Sequence, residues 1–204
     1  MKRTIHLLIL CLTISIAMTS CKTVSQADFQ AMQREVEQKA ELERQLSELQ
    51  AAYESMMQNL KSEIEAQRIR LEQLSEHEVK VTMPQDVLFP SGSIAIDPAA
   101  RSMLAKVGAS LRQAPDSSIR IVGHTDSFPI LRPELKKRFT DNWELSAARS
   151  AAVARLFIWG EDINDQRVYV VGRSHADPVT NNDTPGGRSK NRRIEIFVEQ
   201  PAAR

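Results

Sequence analysis

The chain has 204 residues, of which 42% are hydrophobic and 26% charged, and its 27 basic and 26 acidic side chains leave a formal net charge of +1. This length is enough for one domain with its own core plus a further segment. The balanced charge does not support nucleic-acid binding, which usually needs a concentrated basic face.

The first 20 residues have the pattern of a secretory signal peptide. Two basic residues precede an uncharged, mostly apolar run over residues 5–18, and that run is too short to cross a bilayer as a helix of about 20 residues. The sequence Ala17-Met-Thr-Ser-Cys21 resembles the lipobox of bacterial lipoproteins, with Met18 where leucine is usual. We expect residues 1–20 to be removed and Cys21 to be lipidated; an ordinary secretory signal is the alternative.

Cysteine usage agrees with this interpretation. The chain contains only Cys11 and Cys21, so cleavage removes the first and lipidation consumes the second. No thiol then remains for a disulfide, a metal site or a nucleophile.

Residues 21–78 are predicted to form the lipidated N-terminus and a long helical coiled-coil stalk. Residues 25–78 contain no proline and no glycine, and their apolar side chains recur at the three- and four-residue spacing of a coiled coil. We expect the stalk to act as a spacer and to form a homo-oligomer; a single helix folded back on the domain is the alternative. The apolar ladder is Leu42, Leu46, Leu49, Tyr53, Met56 and Leu60, continued by Ile64, Leu71 and Leu74.

A change of composition near Val79 predicts that residues 79–204 form an α/β domain. Residues 79–83 alternate apolar and polar side chains, as a half-buried strand does. Asp97 supplies an N-cap for a helix that has Pro98 in its first turn. The remaining predicted elements are strands at 118–122, 167–171 and 193–198 and a helix capped by Asp141 that ends at Gly160. This order of elements predicts an α/β sandwich with one core.

One residue of the last helix is unusual for its position. Arg149 lies within the apolar stripe, four residues after Leu145 and four before Val153. A guanidinium keeps its charge and, when buried, needs an anion from the protein or from a ligand; a structural ion pair or an extension to water is the alternative. Asp126 follows the strand at 118–122. Together, Arg149 and Asp126 indicate a site for a ligand that carries both charges.

Four blocks of the chain follow one another in a recognisable order: Val87-Leu-Phe89 with Ser91-Gly92-Ser93, then Gly123-His-Thr-Asp126, then Asn142 to Arg149, and finally Asn182 through Asn191-Arg-Arg193-Ile-Glu195. In this order they resemble the OmpA-like C-terminal domain, which is shared by peptidoglycan-associated lipoproteins and the flagellar stator protein MotB. The resemblance implies a mixed sheet packed on helices. The segment of residues 127–140 is longer than its counterpart in peptidoglycan-associated lipoproteins and looks more like the MotB version.

The resemblance also implies non-covalent binding to the meso-diaminopimelate of the peptidoglycan stem peptide. By family analogy Asp126 pairs with the ligand ammonium, and Arg149 makes a forked contact to its carboxylate that lysine could not reproduce. Asn142 would contact ligand amides. Either Arg192 or Arg193 would add a contact to the carboxylate, because strand alternation places only one of them on each face.

The expected function is that of a lipid-anchored periplasmic tether that joins the outer membrane to the cell wall. The absence of an aspartate after Cys21 resembles outer-membrane retention. An accessory wall-anchoring subunit of a flagellar motor or secretion machine, with the stalk recruiting partners, is the alternative. We predict no catalytic residue, cofactor or metal: His124 lacks a nucleophile with an orienting third group, and His77 and His175 have no recognisable ligand spacing.

Overall fold

The computed structural model describes residues 25–200. The predicted signal peptide and Cys21 lie outside the described residues. Within residues 25–200, no helix is both long enough and apolar enough to cross a membrane.

The described chain alternates helices and strands after a long first helix. In chain order the elements are α1 (Gln26–Asn59), α2 (Lys61–Glu65), β1 (Arg70–Ser75), β2 (Glu78–Pro84), α3 (Gln85–Leu88), α4 (Pro98–Leu111), β3 (Ser118–Gly123), α5 (Pro133–Lys136), α6 (Asn142–Gly160), a 3-10 turn (Asp165–Arg167), β4 (Val168–Gly172), α7 (Pro185–Asn191) and β5 (Arg193–Glu199).

The strands form one mixed sheet in the order β1-β2-β5-β3-β4. Strands β3 and β4 are parallel and are connected through α6, while the other neighbouring pairs are antiparallel. Helices α4 and α6 supply much of the apolar surface that covers the sheet, and their side chains share one core with β2, β3 and β5. The predicted α/β sandwich is confirmed.

Local sequence signals account for several of these elements. In β2 the side chains of Val79, Val81 and Met83 are buried and those between them are partly exposed, which confirms the predicted alternation. The Asp97 side chain caps α4 by accepting a hydrogen bond from the Ala99 amide at 2.8 Å. Because such caps satisfy amides that have no partner within the helix, they set where it begins.

The second part of α1 does not behave as a free stalk. The compact unit of the chain begins at Leu42, and Leu49, Met56 and Leu60 are at most 1% exposed in the same core as the sheet. These apolar positions therefore pack on the domain itself, as in the folded-back alternative. Spacing of three and four residues describes an apolar helix face without identifying the surface that covers it.

The helical assignment of residues 70–75 was wrong. The chain leaves the helix after Glu65, Gln67 has a positive φ of 56°, and Leu71 and Leu74 lie in the edge strand β1, paired with β2. Residues 42–78 therefore belong to the same compact unit as the domain predicted from Val79 onward. The first part of α1, taken by itself, has Phe29, Met32 and Val36 more than half exposed.

Candidate ligand-binding cleft

A cleft of about 540 Å³ lies beside the C-terminal end of β3. Its walls come from α3 and the turn that follows it, from the segment after β3, from the first turns of α6 and from Arg192 at the end of α7. Four residues predicted from the sequence line it together, namely Asp126, Asn142, Arg149 and Arg192.

Two glycines allow α6 to approach the sheet closely. A Cβ atom on Gly123 would lie 2.3 Å from the carbonyl oxygen of Ser146, and one on Gly172 would lie 2.8 Å from the amide nitrogen of Ala147. Gly92, and not Gly123, is the described glycine with a positive φ. Gly123 is instead required for helix–strand packing, and this packing places the first turns of α6 against the cleft.

The Arg149 side chain forms a buried wall of the cleft, with 5% of the residue exposed. Its Nη1 donates to the Gln85 side-chain oxygen at 2.5 Å, and its Nη2 lies 3.5 Å from the Ser93 carbonyl oxygen. The guanidinium carbon is 5.6 Å from the centroid of the Phe89 ring, within the range of a cation–π contact. Its Nε is buried without a hydrogen-bond partner.

No carboxylate neutralises Arg149 directly. Among residues 25–200, none has a carboxylate oxygen within the 4.0 Å of an ion pair to this guanidinium. Burial, and then the positive charge of Arg192, lower the pKa of Arg149 to about 10, while Asp86 and Asp126 act in the opposite direction from further away. The structural ion pair considered for Arg149 is therefore absent from residues 25–200. A buried cation without a paired anion costs the folded protein free energy.

Asp126 lines the same cleft as Arg149 and is held in place by a cation and an amide. Its Oδ2 accepts a hydrogen bond from Arg192 Nη1 at 2.8 Å, and its Oδ1 accepts one from the Phe128 amide at 3.0 Å. An ionised carboxylate has about four acceptor positions. Asp126, whose side chain is 13% exposed, therefore retains acceptor capacity for a second cation.

The Asn142 side chain forms hydrogen bonds to the segment that follows β3. Its amide nitrogen donates to the carbonyl oxygens of Phe128 at 2.7 Å and of Asp126 at 3.3 Å. Because both contacts are to backbone, Asn142 holds the position of Asp126. The contact between Asn142 and ligand amides stays a prediction, while the donor group of the side chain is used inside the protein.

Arg192 and Arg193 lie on opposite sides of the chain. Arg192 lines the cleft, whereas Arg193 is buried away from it and donates to Glu195 Oε1 at 2.8 Å, to the Asn191 carbonyl at 3.2 Å and to the Asp177 carbonyl at 3.1 Å. Strand alternation required this separation but did not say which residue faced the cleft. Arg193 is therefore removed from the candidate site.

His124 belongs to the same buried polar group as Arg193. Its Nε2 is 3.2 Å from Glu195 Oε2, and the residue is 3% exposed. Burial alone would raise the pKa of Glu195, but His124 and Arg193 outweigh it and lower that pKa to about 2. None of these three residues lines the cleft.

Three further polar residues line the cleft that the sequence motifs did not indicate. Gln85 accepts from Arg149, Asp86 lies 3.5 Å from Arg192 Nη2, and Arg132 comes from the segment after β3. Gln85 and Asp86 directly precede the Val87-Leu-Phe89 block, so their proximity to that block was the available signal. Nothing in the local pattern distinguished Arg132 from the neighbouring basic residues.

Comparison with known proteins places this geometry in a family. Residues 88–192, just over half of the chain, match the OmpA family. The protein YtxE of Bacillus subtilis is 32% identical over 142 residues, which make up 70% of this chain and 54% of YtxE. The chain spans about half the length of the curated relatives that it matches.

Two solved structures share the fold over most of the chain. A MotB-like protein from Desulfovibrio vulgaris is 28% identical with a TM-score of 0.66, and the match covers 78% of this chain and 98% of that one. The cell wall anchor of the T6SS from Pseudomonas aeruginosa is 32% identical with a TM-score of 0.64, and the match covers 72% and 97% of the two chains. On the evidence of the matched segment, the sheet and the cleft, this chain belongs to the OmpA family.

Proposed function

We propose that the cleft binds peptidoglycan non-covalently, through contacts to the meso-diaminopimelate of the stem peptide. The observation that carries this proposal is Arg149, a buried guanidinium in the cleft wall with an unpartnered Nε and no carboxylate in ion-pair contact among residues 25–200. A ligand carboxylate would neutralise that charge with two parallel hydrogen bonds. The resemblance to a solved cell wall anchor supports the same assignment.

Asp126 supplies the matching charge for the ligand ammonium. Arg192 donates to one of its oxygens, and the remaining acceptor positions of the carboxylate suit an ammonium with three donors. Diaminopimelate carries an ammonium and a carboxylate on the same carbon. The pair Asp126 and Arg149 thus matches both charges of one group, which a simple anion or a simple amine would not satisfy.

The lipobox extends this binding activity to a tether. Lipidation of Cys21 would hold the chain in the outer membrane facing the periplasm, while the domain holds the wall. Stable anchoring needs more than one acyl chain, as a diacylated and N-acylated cysteine provides. Incorporation of labelled palmitate into the wild type but not into Cys21→Ser would support the anchor, and equal labelling of both proteins would reject Cys21 as the site.

Sedimentation with purified peptidoglycan tests the binding site. The wild-type protein is expected to pellet with the wall material, and Asp126→Ala with Arg149→Ala is expected to remain in the supernatant. Arg193→Lys is the matched control, because Arg193 lies outside the cleft and lysine keeps its charge beside Glu195. Undiminished pelleting of the double variant would refute the site assignment.

A second candidate function is wall anchoring for a larger machine. Two matches favour it, namely the MotB-like protein and the T6SS wall anchor, each covered almost completely by the shared fold. The exposed apolar side chains Phe29, Met32 and Val36 of α1 offer a surface for recruiting a partner. In cells, photocrosslinkers at these positions would capture a heterologous envelope protein if this role holds; capture of only a second copy would contradict it.

A further inference from the structure

A second uncompensated cation lines the cleft. Arg132 is exposed, and among residues 25–200 no carboxylate oxygen is within ion-pair distance of its guanidinium. Arg192, by contrast, is already paired with Asp126. Arg149 and Arg132 are therefore the two cleft arginines in the described chain that can each accept a ligand anion without giving up an ion pair.

The Arg132 side chain is placed by its surroundings. Its segment is anchored by Ile130 and Leu135, which pack with Leu145 of α6 in a second apolar cluster. The side chain then crosses Gly92, where a Cβ atom would lie 3.0 Å from Arg132 Cδ. Gly92 also has a φ of 76°, which other residues rarely adopt. The absence of a side chain at Gly92 therefore leaves room for the Arg132 side chain to lie over this turn.

Arg149 approaches the same turn from inside the cleft. Its Nη2 is 3.5 Å from the carbonyl oxygen of Ser93, and Arg132 Nη1 is 3.9 Å from the Cβ position of the neighbouring Gly92. Because Gly92 and Ser93 are adjacent and consecutive Cα atoms are 3.8 Å apart, the two guanidinium groups are separated by no more than on the order of 10 Å. One short peptide of about three extended residues can therefore reach both.

We propose that Arg132 binds a second carboxylate of the same stem peptide, the α-carboxylate of the D-glutamate that precedes diaminopimelate. The inference rests on the proposed function, in which Arg149 holds the diaminopimelate carboxylate. D-Glutamate is the next unit along the stem, and its γ-linkage leaves the α-carboxylate free and lengthens the backbone between the two anions. Arg132 then makes the cleft selective for stems whose glutamate is not amidated.

Titration of the purified full chain with two synthetic peptides tests this selectivity. One peptide is L-Ala-γ-D-Glu-meso-diaminopimelate, and the other carries an amide in place of the D-glutamate α-carboxylate. The wild type is expected to bind the free acid about fivefold more tightly, the size of an ion pair at a solvent-exposed rim. Arg132→Gln is expected to bind both peptides equally, at the affinity of the wild type for the amide.

Arg138→Gln is the matched control. Arg138 lies in the same segment, but its guanidinium carbon is 5.4 Å from the centroid of the Phe139 ring and it does not line the cleft. It should keep the wild-type preference. Equal affinities of the wild type for the two peptides, or an unchanged preference in Arg132→Gln, would overturn the role of Arg132 and leave diaminopimelate binding intact. Failure of the wild type to bind either peptide would overturn the proposed function itself.

Discussion

Arg149 and Arg193 are buried to the same extent, each with 5% of the residue exposed, but only Arg193 has a carboxylate partner among residues 25–200. Arg193 donates to the Glu195 carboxylate at 2.8 Å. Arg149 donates to the neutral side chain of Gln85. Arg193 thus contributes to the stability of the fold. Burial of the unpaired Arg149 charge, by contrast, costs the folded protein free energy until an anion enters the cleft.

Arg149→Met is expected to stabilise the free protein while abolishing wall binding. Burial lowers the pKa of Arg149 to about 10, below the pKa of an arginine in the unfolded chain. The free-energy cost of burying this charge is therefore fully present below about pH 10 and is relieved as the pH rises beyond that value. Removing the charge should raise the free energy of unfolding at pH 7 by about 1–3 kcal/mol. Urea titration and sedimentation with peptidoglycan measure the two effects.

Arg193→Met is the contrasting variant. It leaves Glu195 buried without its arginine, so the free energy of unfolding should fall by about 3–5 kcal/mol. A loss of stability in Arg149→Met as large as in Arg193→Met would show that Arg149 is structural.

Gly123→Ala should weaken both folding and binding. Its Cβ would lie 2.3 Å from the Ser146 carbonyl oxygen, a backbone atom that can move only if α6 moves. We expect a loss of about 1–3 kcal/mol in unfolding free energy, together with weaker wall binding because α6 carries Arg149. Gly186→Ala is the control: a Cβ there meets nothing within 4 Å, so its stability should stay level or rise. Equal effects at the two positions would contradict the packing argument.

Met56→Ala should destabilise the domain although it lies in the helix predicted to be a stalk. Met56 is 1% exposed in the core of the sheet, and truncation of a buried methionine costs about 2–5 kcal/mol. Met32→Ala, in the first part of α1 where the residue is 58% exposed, should leave the unfolding free energy within about 0.5 kcal/mol. If both variants unfold like the wild type, the second part of α1 is not part of the core.

Acid should destabilise the domain through Glu195. His124 and Arg193 outweigh the effect of burial and hold the pKa of Glu195 at about 2, below that of an unfolded glutamate at about 4.3. The stability from this group is therefore fully present above about pH 4.3 and is lost as the pH falls to about 2. Unfolding free energies measured across this window should fall less steeply for Glu195→Gln than for the wild type.

Local patterns were sufficient for most elements of the domain. The alternation at Val79, Val81 and Met83 predicted β2, and the caps at Asp97 and Asp141 predicted where two helices begin. These signals depend on side chains and backbone within a few residues, so a single sequence contains them in full. The same is true of the charged residue in the apolar stripe of α6.

Other predictions depended on contacts between distant parts of the chain. The spacing of Leu71 and Leu74 continued a helical ladder, yet pairing with β2 made this segment a strand. Strand formation here is decided by the partner that supplies the hydrogen bonds, which the local pattern does not contain. Arg132 was indistinguishable from its basic neighbours until Gly92 placed it over the cleft.

Side-chain periodicity is a local property, so the residue pattern alone predicted an arginine on the buried face of α6 and a carboxylate after β3. Contacts between distant segments established that no carboxylate in residues 25–200 neutralises Arg149 and that Arg192, not Arg193, reaches Asp126. The reason is physical: whether a buried charge is compensated depends on every group within a few ångströms, and those groups come from segments tens of residues apart.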